Sequence, residues 1–188
     1  MSKLEHLYSL HFEGGLEYDY LIPDFRNYKK LHSLYLNFIW IDNMHGGFNQ
    51  LPPNLVKLTL QGSHLKQDPM PELEKLPNLR VLRLLHLSYT GERLVCSKEG
   101  FKCLQQLKLV NLWNLAELKI EEGAMSNLNQ LEISKCYKLN VVPDFQYLTN
   151  LRELNLQYVS PDFWFSLKGS DQHKIQHVPS KIFNGKIR

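Results

Sequence analysis

The amino-acid sequence predicts an α/β solenoid, a horseshoe-shaped stack of about seven repeats with a parallel β-sheet on its concave face. The composition is the first observation, because the 188 residues include 35 Leu but only 2 Ala. A helical bundle would use Ala freely, and a sandwich or a parallel sheet of ordinary type would favour Val and Ile, which number 8 each. The second observation is a recurrent Leu-x-x-Leu-x-Leu segment, and the third is the proline that recurs between its copies.

The recurrent segment keeps a nearly constant period. Its copies begin at Leu7, Leu31, Leu55, Leu79, Leu104, Leu128 and Leu151. The intervals are 24, 24, 24, 25, 24 and 23 residues, within the period of about 20–29 that leucine-rich repeats show. The fourth and sixth positions of a copy point to the same face of a short strand, so stacked copies share one core. We therefore expect one parallel strand per copy and a repeat region over residues 1–159.

The segments between the strands, which we call the returns, are predicted to form a mostly irregular or 3₁₀ convex face. Proline shortens or excludes helices there. These prolines are Pro52, Pro53, Pro69, Pro71, Pro77 and Pro143. The best helix candidates are short, at residues 70–76 and 97–102. Regular repeats carry Asn or Cys at the ninth position, but only Cys136 fits, so we expect the asparagine ladder to be missing.

The two ends of the chain differ in sequence. Residues 160–188 leave the period and are predicted to form a C-terminal cap and tail, with residues 184–188 frayed. A cap must cover the open Leu face of the last repeat, and Phe163, Trp164 and Phe165 suit that role. Nothing comparable precedes the first repeat, so we expect the chain to belong to something longer or to pair with another module there.

The residues between the buried Leu positions are predicted to line the concave face. Aromatic side chains gather near one end, at Tyr35, Phe38 and Trp40. A basic centre follows, formed by Lys57, Arg83, His86 and Lys108. Aromatic and Arg residues are the usual anchors of protein interfaces, and a basic centre would steer an acidic partner.

We predict a protein-binding surface on this face as a whole, whereas a single side chain taken alone is more often an ordinary solvated strand residue than an anchor. Its members are His11, Tyr35, Phe38, Lys57, Arg83, His86, Lys108, Glu132, Lys135, Asn155 and Tyr158.

Other chemistries find little support in the sequence. The spacings of Cys96, Cys103 and Cys136 fit no zinc pattern, so we expect no metal site. His173 and His177 are four residues apart, but no H-E-x-x-H pattern accompanies them and Pro179 argues against a long helix. Because no catalytic constellation remains, we do not expect an enzyme. No apolar run approaches 18 residues, so no membrane span is expected.

Several return segments resemble a known family. Residues 52–60 and 68–82 are similar to plant disease-resistance receptors, which have a coiled coil, a nucleotide-binding region and leucine-rich repeats. Residues 89–91, 121–125 and 174–179 look like the same family. From about residue 50 the resemblance covers nearly the whole chain. It identifies the chain with the C-terminal leucine-rich repeat region of a coiled-coil, nucleotide-binding, leucine-rich repeat (CC-NB-LRR) protein.

The resemblance implies a cytoplasmic immune receptor that senses a pathogen effector or a guarded host protein and triggers defence. In this family the repeats are thought to hold the nucleotide switch off, so the nucleotide-binding region of the same receptor is an expected partner. The chain has no G-x-x-x-x-G-K-[ST] phosphate cradle and no coiled coil before the repeats, so we expect a sensing part with no cofactor.

Two other functions stay open at this point. The chain could be a generic leucine-rich repeat adaptor or scaffold that binds protein through its concave face, but no recruitment motif lies outside the repeats. It could bind nucleic acid through Lys57, Arg83 and Lys108, but the net charge of +3 is too small to favour this, and we expect no nucleic-acid partner.

Overall fold

Each repeat contributes one five-residue strand to a long parallel sheet in the computed structural model, which describes residues 7–14, 24–38, 47–184 and 186–187. These strands are β1 (Ser9–Glu13), β2 (Ser33–Asn37), β3 (Lys57–Gln61), β4 (Val81–Leu85), β6 (Gln106–Val110), β8 (Gln130–Ser134) and β9 (Glu153–Gln157). Neighbours pair in one register, with Leu34 opposite Leu58 and Leu58 opposite Leu82. The predicted period and strand positions are confirmed.

The core lies behind this sheet. From β2 to β9 the second and fourth residues of every strand are buried, and in β4 these are Leu82 and Leu84. The first Leu of each of these copies is buried as well, as at Leu79. One continuous apolar cluster therefore runs through the described repeats, as expected when a single repeat cannot bury its Leu face alone.

The sheet continues into the segment that we expected to be the tail. Strand β10 (Ser180–Phe183) pairs in parallel with β9, with Lys181 opposite Leu154. Strand β11 (Lys186–Ile187) then pairs antiparallel with β10 instead of fraying. The sequence of β10 lacks the Leu-x-Leu pattern, so leucine spacing did not predict it.

The returns contain a second, smaller sheet that we did not predict. Strands β5 (Arg93–Cys96) and β7 (Glu117–Ile120) pair in parallel, and their alternate residues point into the core. Helix α1 (Met70–Leu73) is shorter than the predicted 70–76. The helix predicted at 97–102 is wrong, because Glu99 and Phe101 have φ values of +58° and +55°, which a right-handed helix excludes.

Side chains complete the backbone hydrogen bonds of the returns. The Asp68 carboxylate accepts from the backbone N–H groups of Met70 (2.9 Å) and Val95 (2.8 Å), so it occupies the open edge of β5. The Glu121 carboxylate accepts from Lys98 N–H (3.0 Å) and pairs with Lys119 (2.7 Å), which lowers its pKa. Glu121 therefore supports the backbone of this return.

An asparagine ladder also exists, although not at the ninth position. In three repeats an Asn immediately before the first Leu donates its side-chain amide to a carbonyl of the preceding repeat. Asn54 donates to Lys29 O (3.0 Å) and Asn127 to Lys102 O (2.6 Å). Asn150 donates to Ser126 O (2.7 Å). The ninth position carries no asparagine, as expected, and the column before the first Leu supplies amide hydrogen bonds between repeats instead.

The C-terminal end carries helix α2 (Pro161–Lys168). The Ser160 hydroxyl caps its N-terminus by accepting from Phe163 N–H (3.1 Å). Phe163 is buried, and Trp164 packs edge-on against Phe183 with ring centroids 5.3 Å apart. Phe165 is 83% exposed, so its expected capping role is wrong. Consecutive helical residues point about 100° apart, and three of them cannot face one core.

The helices of the described residues were compared with the length and apolarity that a membrane-spanning helix needs. None of their helices is both long and apolar enough to cross a bilayer.

Candidate protein-binding surface

The outward-facing side of the long sheet, which we call the concave face, gathers most of the predicted binding residues. The middle outward position of successive strands places Arg83 opposite Lys108, Lys108 opposite Glu132, and Glu132 opposite Asn155. At the other end the same column places His11 opposite Tyr35. Lys57 occupies the first outward position of β3. Trp40 lies outside the described residues.

Polar side chains of the concave face bond to one another across the strands. Tyr35 donates its hydroxyl to Gln61 Oε1 (2.8 Å), and burial raises the pKa of that tyrosine. Farther along, Arg83 Nη2 donates to Gln106 Oε1 (2.9 Å), and Gln106 Nε2 donates to Gln130 Oε1 (2.6 Å). A partner that binds here must compete with these bonds.

The basic centre carries fewer unpaired positive charges than its residue types suggest. Lys108 pairs with Glu132 at 2.6 Å, so its charge is already balanced. Arg83 has the neutral amide of Gln106 as a partner, and within the described residues its Nε is buried without a hydrogen bond. Arg83 also faces Lys108 across the sheet, and like charges in this position repel. Arg83 therefore carries an unbalanced charge at the centre of the face, and Lys57 on the adjacent strand also has no acidic partner among the described residues.

The aromatic end is formed by closely packed rings. The rings of His11 and Tyr35 have centroids 4.2 Å apart. The ring of Phe38 lies over Gly62, where an added Cβ would meet Phe38 Cδ1 at 2.6 Å. Gly62 thus leaves the space that the Phe38 ring occupies.

A column of left-handed residues ends six consecutive strands of the long sheet. Its members are Phe38 (φ +54°), Gly62 (+61°), His86 (+36°), Asn111 (+60°), Lys135 (+56°) and Tyr158 (+53°). Gly and Asn adopt this conformation readily, whereas other residues pay about 1–2 kcal/mol. Four predicted binding residues belong to this column, so they lie at the edge of the concave face and not within it. Only Gly62 and Asn111 indicated the conformation in the sequence.

Sequence reasoning missed two exposed aromatic residues beside that column. Trp113 and Tyr137 follow β6 and β8, respectively, and each is 54% exposed. They are 24 residues apart, so they occupy the same position in adjacent repeats. Extending the column comparison two residues beyond the left-handed position would have found them.

The thiols and imidazoles have ordinary structural surroundings. Burial raises the pKa of Cys136 to about 11 and also raises that of Cys96, while Cys103 is exposed. His177 Nε2 lies 3.0 Å from the Leu148 carbonyl oxygen, so the tail packs against the last Leu-based repeat. Within the described part of the chain, no three His, Cys, Asp or Glu residues group together as metal ligands would.

Comparisons of this chain with known proteins point to one family. A model of the leucine-rich repeat region matches residues 1–182. Disease resistance RPP8-like protein 3 of Arabidopsis thaliana is 37% identical over 185 residues, which cover 96% of this chain and 20% of that protein. Disease resistance protein RPP8 of the same plant is 34% identical over 193 residues, covering 97% and 21%. The chain spans about a fifth of the length of these relatives.

A solved internalin from Listeria monocytogenes is also similar, at 16% identity, covering 72% of this chain and 56% of that one. Its TM-score of 0.28 is too low to bear on the fold. The family match and the repeat geometry agree with the resemblance found in the return segments, which is confirmed. The chain therefore belongs to the leucine-rich repeat region family, in the form that plant disease resistance proteins of the CC-NB-LRR type carry.

Proposed function

We propose that the chain is the protein-recognition module of a cytoplasmic plant immune receptor. It senses a pathogen effector or a guarded host protein, and it restrains the nucleotide switch of the receptor until that contact is made. The observation that carries this proposal is the similarity of nearly the whole chain to disease resistance proteins, return segments included. The module recognises protein and carries out no catalysis.

The concave face and its left-handed edge supply the recognition surface. Repeats in a solenoid present one side chain per strand at each position, so a partner reads several repeats together. Arg83 and Lys57 favour an acidic group on that partner, because neither of these cations has an acidic partner among the described residues. The aromatic end at Tyr35 and Phe38 adds apolar contact area.

Co-purification in trans tests this proposal first. The chain would be expressed with a separately tagged nucleotide-binding region from a related coiled-coil receptor, and the two would be passed through size exclusion. Retention of both in one peak is expected if the repeats restrain the switch. A monomer that ignores the nucleotide-binding region would overturn that role and favour the adaptor function.

A charge-reversal variant tests the acidic partner. Arg83→Glu combined with Lys108→Glu should slow association with the nucleotide-binding region at about 50 mM salt, with a smaller effect at about 500 mM, where screening is stronger. The matched control is Arg80→Glu combined with Lys102→Glu, which reverses two exposed charges off the concave face. Equal slowing by both pairs would contradict a specific role for Arg83.

A further inference from the structure

Two neighbouring turns expose large aromatic side chains at the edge of the solenoid. The turns comprise residues 111–115, after β6, and residues 135–139, after β8. Each buries its second and fifth residues and exposes its third, which is Trp113 in one turn and Tyr137 in the other. In the next repeat Tyr158 is 53% exposed at the end of β9. We call the two turns together with Tyr158 the aromatic rim.

The succession of these rings is unusual. Single exposed apolar residues are common on protein surfaces and need no explanation. Here three consecutive repeats each expose about half of a Trp or Tyr, and parallel strands lie about 4.8 Å apart. The rim therefore forms a strip of amphipathic aromatic surface, which is the composition that protein interfaces favour.

The indole of Trp113 is held in place before any partner arrives. Its Nε1–H donates to Asn111 Oδ1, and Asn111 Nδ2 lies 3.1 Å from His86 Nδ1. Asn114 donates to the Thr90 carbonyl (3.0 Å) and accepts from Lys138 Nζ (3.0 Å). These bonds join the turn to the repeats on both sides. A side chain that is already ordered loses little conformational entropy when it binds.

The charge of the rim has one sign. Lys135 and Lys138 lie in the second turn, and residues 111–115, 135–139 and 157–160 contain no Asp or Glu. The side-chain ammonium of Lys135 has no hydrogen bond or ion pair within the described part of the chain, although its backbone N–H donates to Gln157 O (2.9 Å). The concave face differs, because Lys108 there is balanced by Glu132.

We propose that the aromatic rim, which adjoins the concave face along its left-handed edge, is a second docking surface for an acidic polypeptide segment that also carries apolar side chains. The apolar side chains of that segment pack on Trp113 and Tyr137, and its carboxylates pair with Lys135 and Lys138. The rim has only two lysines, Lys135 and Lys138. Proteins that bind a nucleic-acid strand usually neutralise more phosphates than two lysines can, so the rim favours a peptide.

Fluorescence anisotropy with a labelled random copolymer of Glu and Leu tests the proposal, because the copolymer offers many sequence contexts. Trp113→Ser combined with Tyr137→Ser should weaken binding at least about tenfold, or about 1.4 kcal/mol. Lys135→Gln combined with Lys138→Gln should weaken it as well. The matched control is Arg83→Gln combined with Lys108→Gln on the concave face, which should leave binding within about twofold of the unmodified chain.

Thermal unfolding of every variant checks that the fold is retained, and the exposure of both rings makes an unchanged melting temperature the expected result. Three results would overturn the proposal. The first is that the Glu–Leu copolymer shows no saturable binding. The second is that the rim variants and the Arg83/Lys108 control lose the same amount of affinity. The third is that a Lys–Leu copolymer binds as tightly as the Glu–Leu copolymer. Binding to single-stranded DNA or to anionic vesicles that exceeds copolymer binding, and is lost in the rim variant, would overturn the peptide assignment. None of these outcomes depends on a nucleotide switch, so they are separate from failure of the proposed function.

Discussion

The concave sheet and the returns share one period but complete their backbone hydrogen bonds by different means. In the sheet, each strand bonds to its neighbours, as β3 does to β2 and β4. In the described returns β5 and β7 pair as strands and Leu65 forms a single parallel bridge with Tyr89, and side chains complete further backbone hydrogen bonds. The Asp68 carboxylate accepts from Val95 N–H, and Asn127 donates to the Lys102 carbonyl. A repeat can therefore keep its stacking distance with an irregular outer wall, provided that polar side chains occupy the right positions.

Breaking the sheet should have the largest effect. Leu82 is fully buried as the second residue of β4, and Leu82→Asp would place a carboxylate there without a partner. We expect a loss of more than about 4 kcal/mol, so neighbouring repeats unfold with it. Circular dichroism during heating measures this, and Arg80→Asp, at an exposed neighbouring position, is the control. Unchanged melting of the Leu82 variant would refute the register.

Breaking a return should cost less. Asp68→Ala leaves the Met70 and Val95 N–H groups without their acceptor, so we expect a loss of about 1–3 kcal/mol in urea unfolding. The exposed Glu122→Ala is the control.

The reactivity of the two buried thiols tells whether the returns or the long sheet become exposed to solvent in the Asp68 variant. Cys96 lies in β5 of the returns and Cys136 just beyond strand β8 of the long sheet. Alkylation followed by mass spectrometry should be faster at Cys96 in the Asp68 variant and unchanged at Cys136. Equally faster alkylation of Cys96 and Cys136 would mean that the returns and the long sheet unfold as one unit.

The asparagine ladder can be both broken and extended. Asn127→Ala should cost about 0.5–1.5 kcal/mol, because it removes one bond between repeats. Cys103 occupies the same column, and Cys103→Asn should add a bond to the Pro77 carbonyl and stabilise the chain by about 0.5–1 kcal/mol. Equilibrium unfolding measures both changes, with Cys103→Ser as the control. A destabilising Cys103→Asn would show that the ladder cannot continue across this repeat.

The smallest effect is expected at the left-handed column. Lys135 has φ +56°, and Lys135→Asn places there a residue that adopts this conformation more readily, for a gain of about 0.5 kcal/mol. Lys138→Asn, three residues along, removes the same charge but lies outside the left-handed positions. If both variants changed stability equally, the gain would come from charge and not from backbone conformation.

The sequence predicted the sheet because leucine spacing reports directly which side chains are buried. The same reasoning placed Arg83, Lys108 and Glu132 in one column of the concave face, although it did not reveal that Lys108 and Glu132 pair. It could not predict β5 and β7 in the returns, because four residues with two buried positions resemble many loops. Asp68 looks like any surface acid until the edge of β5 is known.

The end of the sheet and the aromatic rim were missed for other reasons. Strand β10 joins the sheet without the leucine pattern, since a terminal strand packs against the cap instead of a further repeat. Phe165 was assigned to the core by residue type, whereas helical geometry turns it outward. Trp113 and Tyr137 lie in turns that begin at the left-handed residues Asn111 and Lys135. The exposure of a side chain there depends on the backbone conformation of the turn, and the spacing of apolar residues in the sequence does not report it.

The packing of Phe38 on Gly62 has a consequence for how such a chain diversifies. Any side chain at position 62 would collide with the Phe38 ring, so a change of Gly62 becomes acceptable only after Phe38 has been replaced by something smaller. The two positions belong to different repeats, yet this contact leads us to expect them to change as a pair. Exchange of a single repeat between related genes would separate them and join incompatible partners, whereas exchange of the two repeats together would keep the chain viable.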